Sequence, residues 1–280
     1  KERIASVNSP RKITSAMKMV ASAKLHKAQA AIESMLPYER RLHHILTDFM
    51  SNCTEVTSPF IVKREVKKVA VVVFASNTSL CGGFNANVIR HLVDLLAEYK
   101  PLGLENILVF PVGKKVADAV RKLGFRIEGD FQHMADKPSY QEAADLAADL
   151  MKRFLHGDVD KVELLYNHFK STASQILTRE TYLPIDLNNE KKEEERTIDY
   201  ILEPSAEELM QEMLPKVLRM KMFTVLLDSN AAEHAARTMA MQIATDNANE
   251  LLQELTVMYN KSRQQSITNE LLDIVGGSMA

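Results

Sequence analysis

The sequence predicts an α/β protein in which a long antiparallel coiled coil of the N- and C-terminal helices carries an inserted Rossmann-like parallel-sheet domain. Three observations predict it. Both ends of the chain show extended helical periodicity. The middle alternates valine-rich apolar runs with amphipathic helices. The C-terminal helical run is far longer than a globular core needs.

The first segment, roughly residues 2–55, reads as helix. Leu25, Ala28, Ile32, Met35, Tyr38, Leu42, Ile45 and Phe49 step by three and four, which is a coiled-coil-like seam with one slip beside Pro37. Pro10 follows Ser9, a good N-cap, so the helix is expected to restart or kink there. The stretch at 11–32, "RKITSAMKMVASAKLHKAQAAI", is built from small, soft and basic residues instead of a leucine stripe. Residues 51–59 carry Ser, Thr, Asn and Pro and read as a linker.

In the middle, "KKVAVVVFAS" has the continuous apolar look of a parallel strand buried on both faces. The helix "NANVIRHLVDLLAEYK", the strand "NILVFPV" and the helix "KKVADAVRKLG" follow. After a short strand near 125–127 come the helix "YQEAADLAADLMKRFL" and the strands "KVELLYNHF" and "SQILTRETYL". This alternation predicts βαβ units and a mostly parallel sheet covered by helices. The charge run "NNEKKEEER" at 188–196 reads as a solvated surface loop.

The last segment opens on a capping box, Ser205 with Glu208, just after Pro204. Pro215 is expected to bend or restart the helix, and no Pro or Gly follows until Gly276. About 60 helical residues span about 90 Å. Ala232, Ala236, Met239 and Ile243, then Leu251, Leu255 and Met258, mark a seam that wants a partner helix. The N-terminal helix is the only other long one. The division is therefore 1–58 and 201–280 for the paired helices and 59–200 for the inserted domain.

Composition narrows the function. The 280 residues are 46% hydrophobic and 26% charged, with a formal net charge of −2, so nucleic-acid binding would need a local patch. Arg11, Lys12, Lys18, Lys24 and Lys27 spread around their helix without interleaved aromatics, which argues against a nucleic-acid arm. The same helix lacks the bulky apolar face of a membrane-surface helix. No apolar run is long enough to span a membrane, and the opening "KERIASV" has no signal-peptide core. The two cysteines, Cys53 and Cys81, form no ligand cluster. The 14 methionines suit contacts that change shape.

Catalytic patterns are missing. Gly82–Gly83 follows the first strand, yet neither the G-x-G-x-x-G fingerprint nor a Walker A motif occurs. "PVGKK" at 111–115 is a weak anion-site signal at a helix start. His43 and His44 are adjacent on a helix and point different ways, and His234 reads as a surface or packing residue. No cofactor or metal is expected. Three readings compete: a mechanical shaft, a nucleotide-binding enzyme with a coiled arm, and a plain coiled-coil scaffold.

Several stretches decide between them. "RIASVNSPRKITSAMKMVASAKLHKAQ", "LCGGFN", "EHAARTMAMQIATDNANELL" and "YNKSRQQSITNELLDIVGG" together resemble the gamma subunit family of the F-type ATP synthase in its bacterial form, over essentially the whole chain. The resemblance implies a central-stalk rotor, non-catalytic itself, that couples ion flow to ATP synthesis or hydrolysis. It implies as partners a hexamer of alpha and beta subunits, an epsilon subunit and the membrane c-ring. The implied location is peripheral, on the cytoplasmic side of the bacterial inner membrane. By motif, Met17 and Lys18 match the place where the shaft meets a beta lever. Arg237, Gln264, Thr268 and Glu270 match C-terminal coupling positions, and "VGGSMA" matches the tip. Asn230 stands where the family often has Lys, which reads as a charge lost from the shaft surface. No cysteine-pair insertion of the chloroplast type occurs around 188–200.

Overall fold

A computed structural model describes residues 1–52, 58–185 and 206–278. Two helices dominate it. Helix α1 runs Glu2–Asn52 and α6 runs Ala206–Ser278, at 73 residues about 110 Å long. They pack on each other along most of α1. Between them come β1 (Val69–Phe74), α2 (Phe84–Tyr99), β2 (Ile107–Val112), α3 (Lys114–Leu123), β3 (Arg126–Ile127), α4 (Gln132–Asp136), α5 (Tyr140–His156), β4 (Lys161–Ser171) and β5 (Ser174–Leu183).

The strands form one sheet in the order β3-β2-β1-β4-β5. Every pairing is parallel except the β4–β5 hairpin. The predicted two-sided burial of β1 is complete, and its alternation sorts the two cores. Val69, Val71 and Val73 face α2 and α3, where Val88, Leu92 and Val116 meet them. Ala70, Val72 and Phe74 face α5 and the lower part of α6, against Leu150, Phe154, Met210 and Met222. The start of α6 is thus a layer of the domain, and its continuation is half of the shaft.

Several expectations are corrected. Neither Pro10 nor Pro37 ends α1, and Pro215 does not end α6; all three lie inside continuous helix. A proline removes one intrahelical hydrogen bond, and here packing along the partner helix outweighs that loss. The seam is also displaced. Tyr38 turns to solvent while Leu42 is half-buried. On α6, Ala231 and Ala235 pack on Leu25 and Ala28, whereas Ala232 and Ala236 face Cys81 and Phe84 of the domain. Met239, Ile243, Leu251 and Met258 are exposed. Helix α4 was not anticipated. The charge run 188–196, Cys53, Pro204, the cap at Ser205 and the side chains of His43, His44 and Phe49 lie outside the described residues.

Candidate functional site

The candidate site is the shaft itself and the seat that holds it. In the seam, Ala21, Leu25 and Ala28 of α1 are buried, and Ala231 and Ala235 opposite are fully covered. Small side chains let the two backbones approach closely. Farther along, Thr14 Oγ1 lies 2.9 Å from Thr245 Oγ1, Arg11 donates to Asn249 Oδ1 at 3.3 Å, and the Lys1 ammonium sits 5.9 Å from the Tyr259 ring. Each step up α1 matches a step down α6, so the pair keeps one antiparallel register from Lys1 to Ala28.

Outside the seam the shaft is apolar in many directions. Ile13, Met19 and Val20 are more than half exposed on α1. Met239, Ile243, Val257, Met258, Leu271, Leu272 and Ile274 are exposed on α6. Apolar surface of this extent on a helix pair marks contact with other chains.

The seat is the carboxyl edge of the sheet. Gly82, at φ +59°, turns the β1–α2 loop so that a Cβ there would stand 3.8 Å from Ala240 Cβ. Ser76 and Asn85 brace this loop with hydrogen bonds of 2.7 to 3.1 Å, beside the buried Cys81. The weak anion-site reading of 111–115 meets an occupied position. Asn77 Oδ1 accepts the Lys114 N–H at 2.8 Å, and the Ser76 carbonyl accepts the Lys115 N–H at 3.1 Å. Among the described residues no group of His, Cys, Asp and Glu could hold a metal.

The predicted coupling residues fall in three places. Met17 and Lys18 are half-buried on α1. Arg237 is 9% exposed; one nitrogen donates to the Ser79 carbonyl and another to Glu233 Oε1 at 2.6 Å. Gln264, Thr268 and Glu270 are exposed about 40 Å farther along α6, where Thr268 Oγ1 donates to the Gln264 carbonyl at 2.9 Å. Gln264 and Thr268 thus lie one turn apart on α6, and Arg237 is far from both. Asn230 is not on the shaft surface. It is buried and donates to the Ala135 carbonyl at 2.9 Å. His234 is likewise buried, with Nδ1 unpartnered. Burial first, then the charges of Lys24 and Arg237, outweigh Asp136 and depress its pKa to about 4. Sequence reasoning missed Asp228, which ties the shaft to β4. A lone acidic residue in an apolar stretch was the available signal.

The ATP synthase family model matches residues 1–280. The chain is 80% identical to the ATP synthase gamma chain of Phocaeicola vulgatus, across all of this chain and 98% of that one. The chain belongs to the ATP synthase gamma-chain family. The gamma chain of Bacteroides fragilis is 64% identical over the same extent of this chain. Among solved structures, the rotor of the Euglena gracilis mitochondrial ATP synthase superposes with a TM-score of 0.60 at 20% identity, covering 95% of this chain and 96% of that one. The central stalk and c-ring structure from Tetrahymena thermophila gives 0.56 at 22% identity, over 83% and 99%. These two share the fold. A gamma chain is the central-stalk rotor subunit of the synthase, and α1 with α6 is its shaft. Among the described residues no helix is long and apolar enough to cross a membrane.

Proposed function

We propose that this gamma chain turns about the α1–α6 axis inside a ring of alternating alpha and beta chains, with its α/β domain seated on the membrane c-ring beside epsilon. Ion flow through the c-ring turns the domain. The shaft then presents different faces to the three beta chains in succession and drives their nucleotide sites through synthesis; hydrolysis runs the cycle backwards. The chain supplies no catalytic group, and nucleotide binds on its partners. Its place is peripheral, on the cytoplasmic side of the bacterial inner membrane. Residues 1–58 and the C-terminal part of 201–280 serve as shaft, and 59–200 with the start of α6 packed on it as the torque-bearing foot.

The observation that carries this reading is the shaft surface. Exposed apolar residues point in several directions from a helix pair whose own seam is already satisfied. A shaft that meets three equivalent partners in turn needs apolar contact without a single strong grip, and methionine with short aliphatic side chains supplies it. Met17 and Lys18 would touch a beta lever, and Gln264, Thr268 and Glu270 the ring. Arg237 would act from the seat.

Mixing the purified chain with alpha and beta subunits tests this. An ATPase-active assembly that requires the chain is expected. A chain that self-associates stably and neither joins nor activates alpha and beta would be a scaffold.

A further inference from the structure

In open α/β sheets ligands bind in the crevice beyond the carboxyl ends of the strands, where the connections turn to opposite sides. In this sheet that crevice lies between β1 and β4, and α6 fills it. Ala232 and Ala236 pack on Cys81 and Phe84, and Phe169 of β4 packs against both this cluster and the seam cluster of Leu25 and Ala28. The shaft occupies the position of a cofactor.

The polar ties in this seat have a definite arrangement around α6. Asp228 Oδ1 accepts the Phe169 N–H at 2.8 Å, and Oδ2 lies 2.6 Å from His168 Nδ1. Asn230 holds the Ala135 carbonyl, and Arg237 holds the Ser79 carbonyl while Glu233 fixes its other nitrogen. At about 100° per residue, Asn230 and Arg237 stand about 200° and 180° round the helix from Asp228. The ties therefore grip opposite flanks of one helix, as a couple must in order to oppose rotation. Nearer the start of α6, Lys221 Nζ lies 2.9 Å from Glu180 Oε1 and the Tyr182 hydroxyl donates to the Leu218 carbonyl at 2.8 Å, while Met222, Phe223 and Leu226 add apolar packing. Hydrogen bonds to charged groups are short and directional, so they define the angle more sharply than apolar contacts do.

We propose that Asp228, opposed by Asn230 and Arg237, clamps the α/β domain to the shaft against rotation about the helix axis, so that torque passes between them. This rests on the rotor reading above. Asp228 is a positioning residue and touches no nucleotide.

The test uses complete ATP synthase carrying D228N in inverted membrane vesicles, with coupling ions pumped per ATP hydrolysed as one readout. The other is the torsional stiffness of single complexes, read from the angular fluctuation of a bead on the α/β domain with the alpha–beta ring immobilised. Wild-type complexes that hydrolyse ATP without pumping or turning would refute the rotor reading itself, whatever the variants do. With that reading intact, D228N is expected to at least halve both stiffness and pumping ratio, and His168→Ala, which spares the Phe169 bond, to fall between. Adding A236C to D228N places a second thiol in the cluster of Cys81. Copper–phenanthroline oxidation to the disulfide should then restore both readouts, and reduction should abolish the rescue. A purely structural Asp228 would lower only the yield of complex. Wild-type stiffness and pumping ratio in D228N complexes overturn the proposal. Should D228N not assemble, His168→Ala with Asn230→Ala decides it by the same two readouts.

Discussion

Thr14 and Thr245 touch across the shaft, hydroxyl to hydroxyl at 2.9 Å, at a level where the flanking residues Ile13 and Ile243 point outward. Each hydroxyl also lies within bonding distance of a carbonyl in its own helix, Thr14 to Arg11 at 3.0 Å and Thr245 to Met241 at 2.7 Å. A hydroxyl has one proton, so one of the two donates across the seam only by releasing its own carbonyl. The cross-helix bond is consequently a modest one. A double-mutant cycle with Thr14→Val and Thr245→Val should give a coupling of about 0.5–1 kcal/mol by urea unfolding. A coupling near zero would mean that both protons stay on the backbone.

Gly113 occupies φ +113°, and a Cβ there would stand 2.2 Å from the Ala75 carbonyl oxygen. The contact is with backbone at the end of β1, so no side chain can move aside. Gly113→Ala should therefore cost about 2–4 kcal/mol of domain stability. Chemical unfolding followed by the loss of sheet circular dichroism measures it. A cost below about 1 kcal/mol would show that the β1 and β2 ends separate easily.

These positions also show what was legible in the sequence. The strands and the larger helices of the domain were readable because each has one environment: β1 is apolar throughout, and α2 and α5 each bury one face. The upper seam was not readable, because residues 231–237 are buried all round, by α1 on one side and by the domain on the other. Periodicity carries no information where every face is covered, so Ala232 and Ala236 were as good a guess as Ala231 and Ala235. At Pro10 and Pro215 the sequence predicts a restart or a kink, and the helices do not restart there, because packing along the partner offsets the local cost. Helix α4 is five residues long and too short to show a period. Arg237 is one of six positions matched through the family resemblance. Its partner Ser79 lies 158 positions away, and only the fold supplies it.

Glu163 is a buried carboxylate on β4 held by three groups. Lys161 Nζ lies 2.6 Å from Oε1, the Tyr99 hydroxyl donates to the same oxygen at 2.8 Å, and Arg179 donates to both oxygens at 3.0 and 3.1 Å. Burial alone raises its pKa, but the bonds from Arg179, Lys161 and Tyr99 outweigh burial and hold it below the ordinary carboxylate value. A depressed carboxyl binds fewer protons folded than unfolded. Its stabilisation is thus complete above pH 4.5 and is lost as pH falls through the folded value. Glu163→Gln should cost about 3 kcal/mol at pH 7, because it leaves Lys161 and Arg179 without their shared counter-charge. Melts at pH 7 and pH 3 check it: the gap between wild type and variant should shrink at the lower pH.

His234 gives a different pH window. Its folded pKa of about 4 lies below the ordinary 6.5, so the unfolded chain binds the extra proton between those values. The neutral ring therefore stabilises the seat fully above pH 6.5, and that contribution disappears as pH falls towards 4. The difference corresponds to roughly 3 kcal/mol. Its neighbour Glu233 has the opposite sign, since burial raises its carboxyl despite Arg237. Wild-type stability alone would blur the two effects, and comparison with His234→Phe separates them. The phenyl ring keeps the volume, removes the unpartnered Nδ1 and does not titrate. Stability of the variant relative to wild type should rise as pH falls from 6.5 to 4, and hydrogen exchange at residues 231–237 should report it locally. Parallel curves for the two proteins across that range would show that His234 charges freely in the folded shaft.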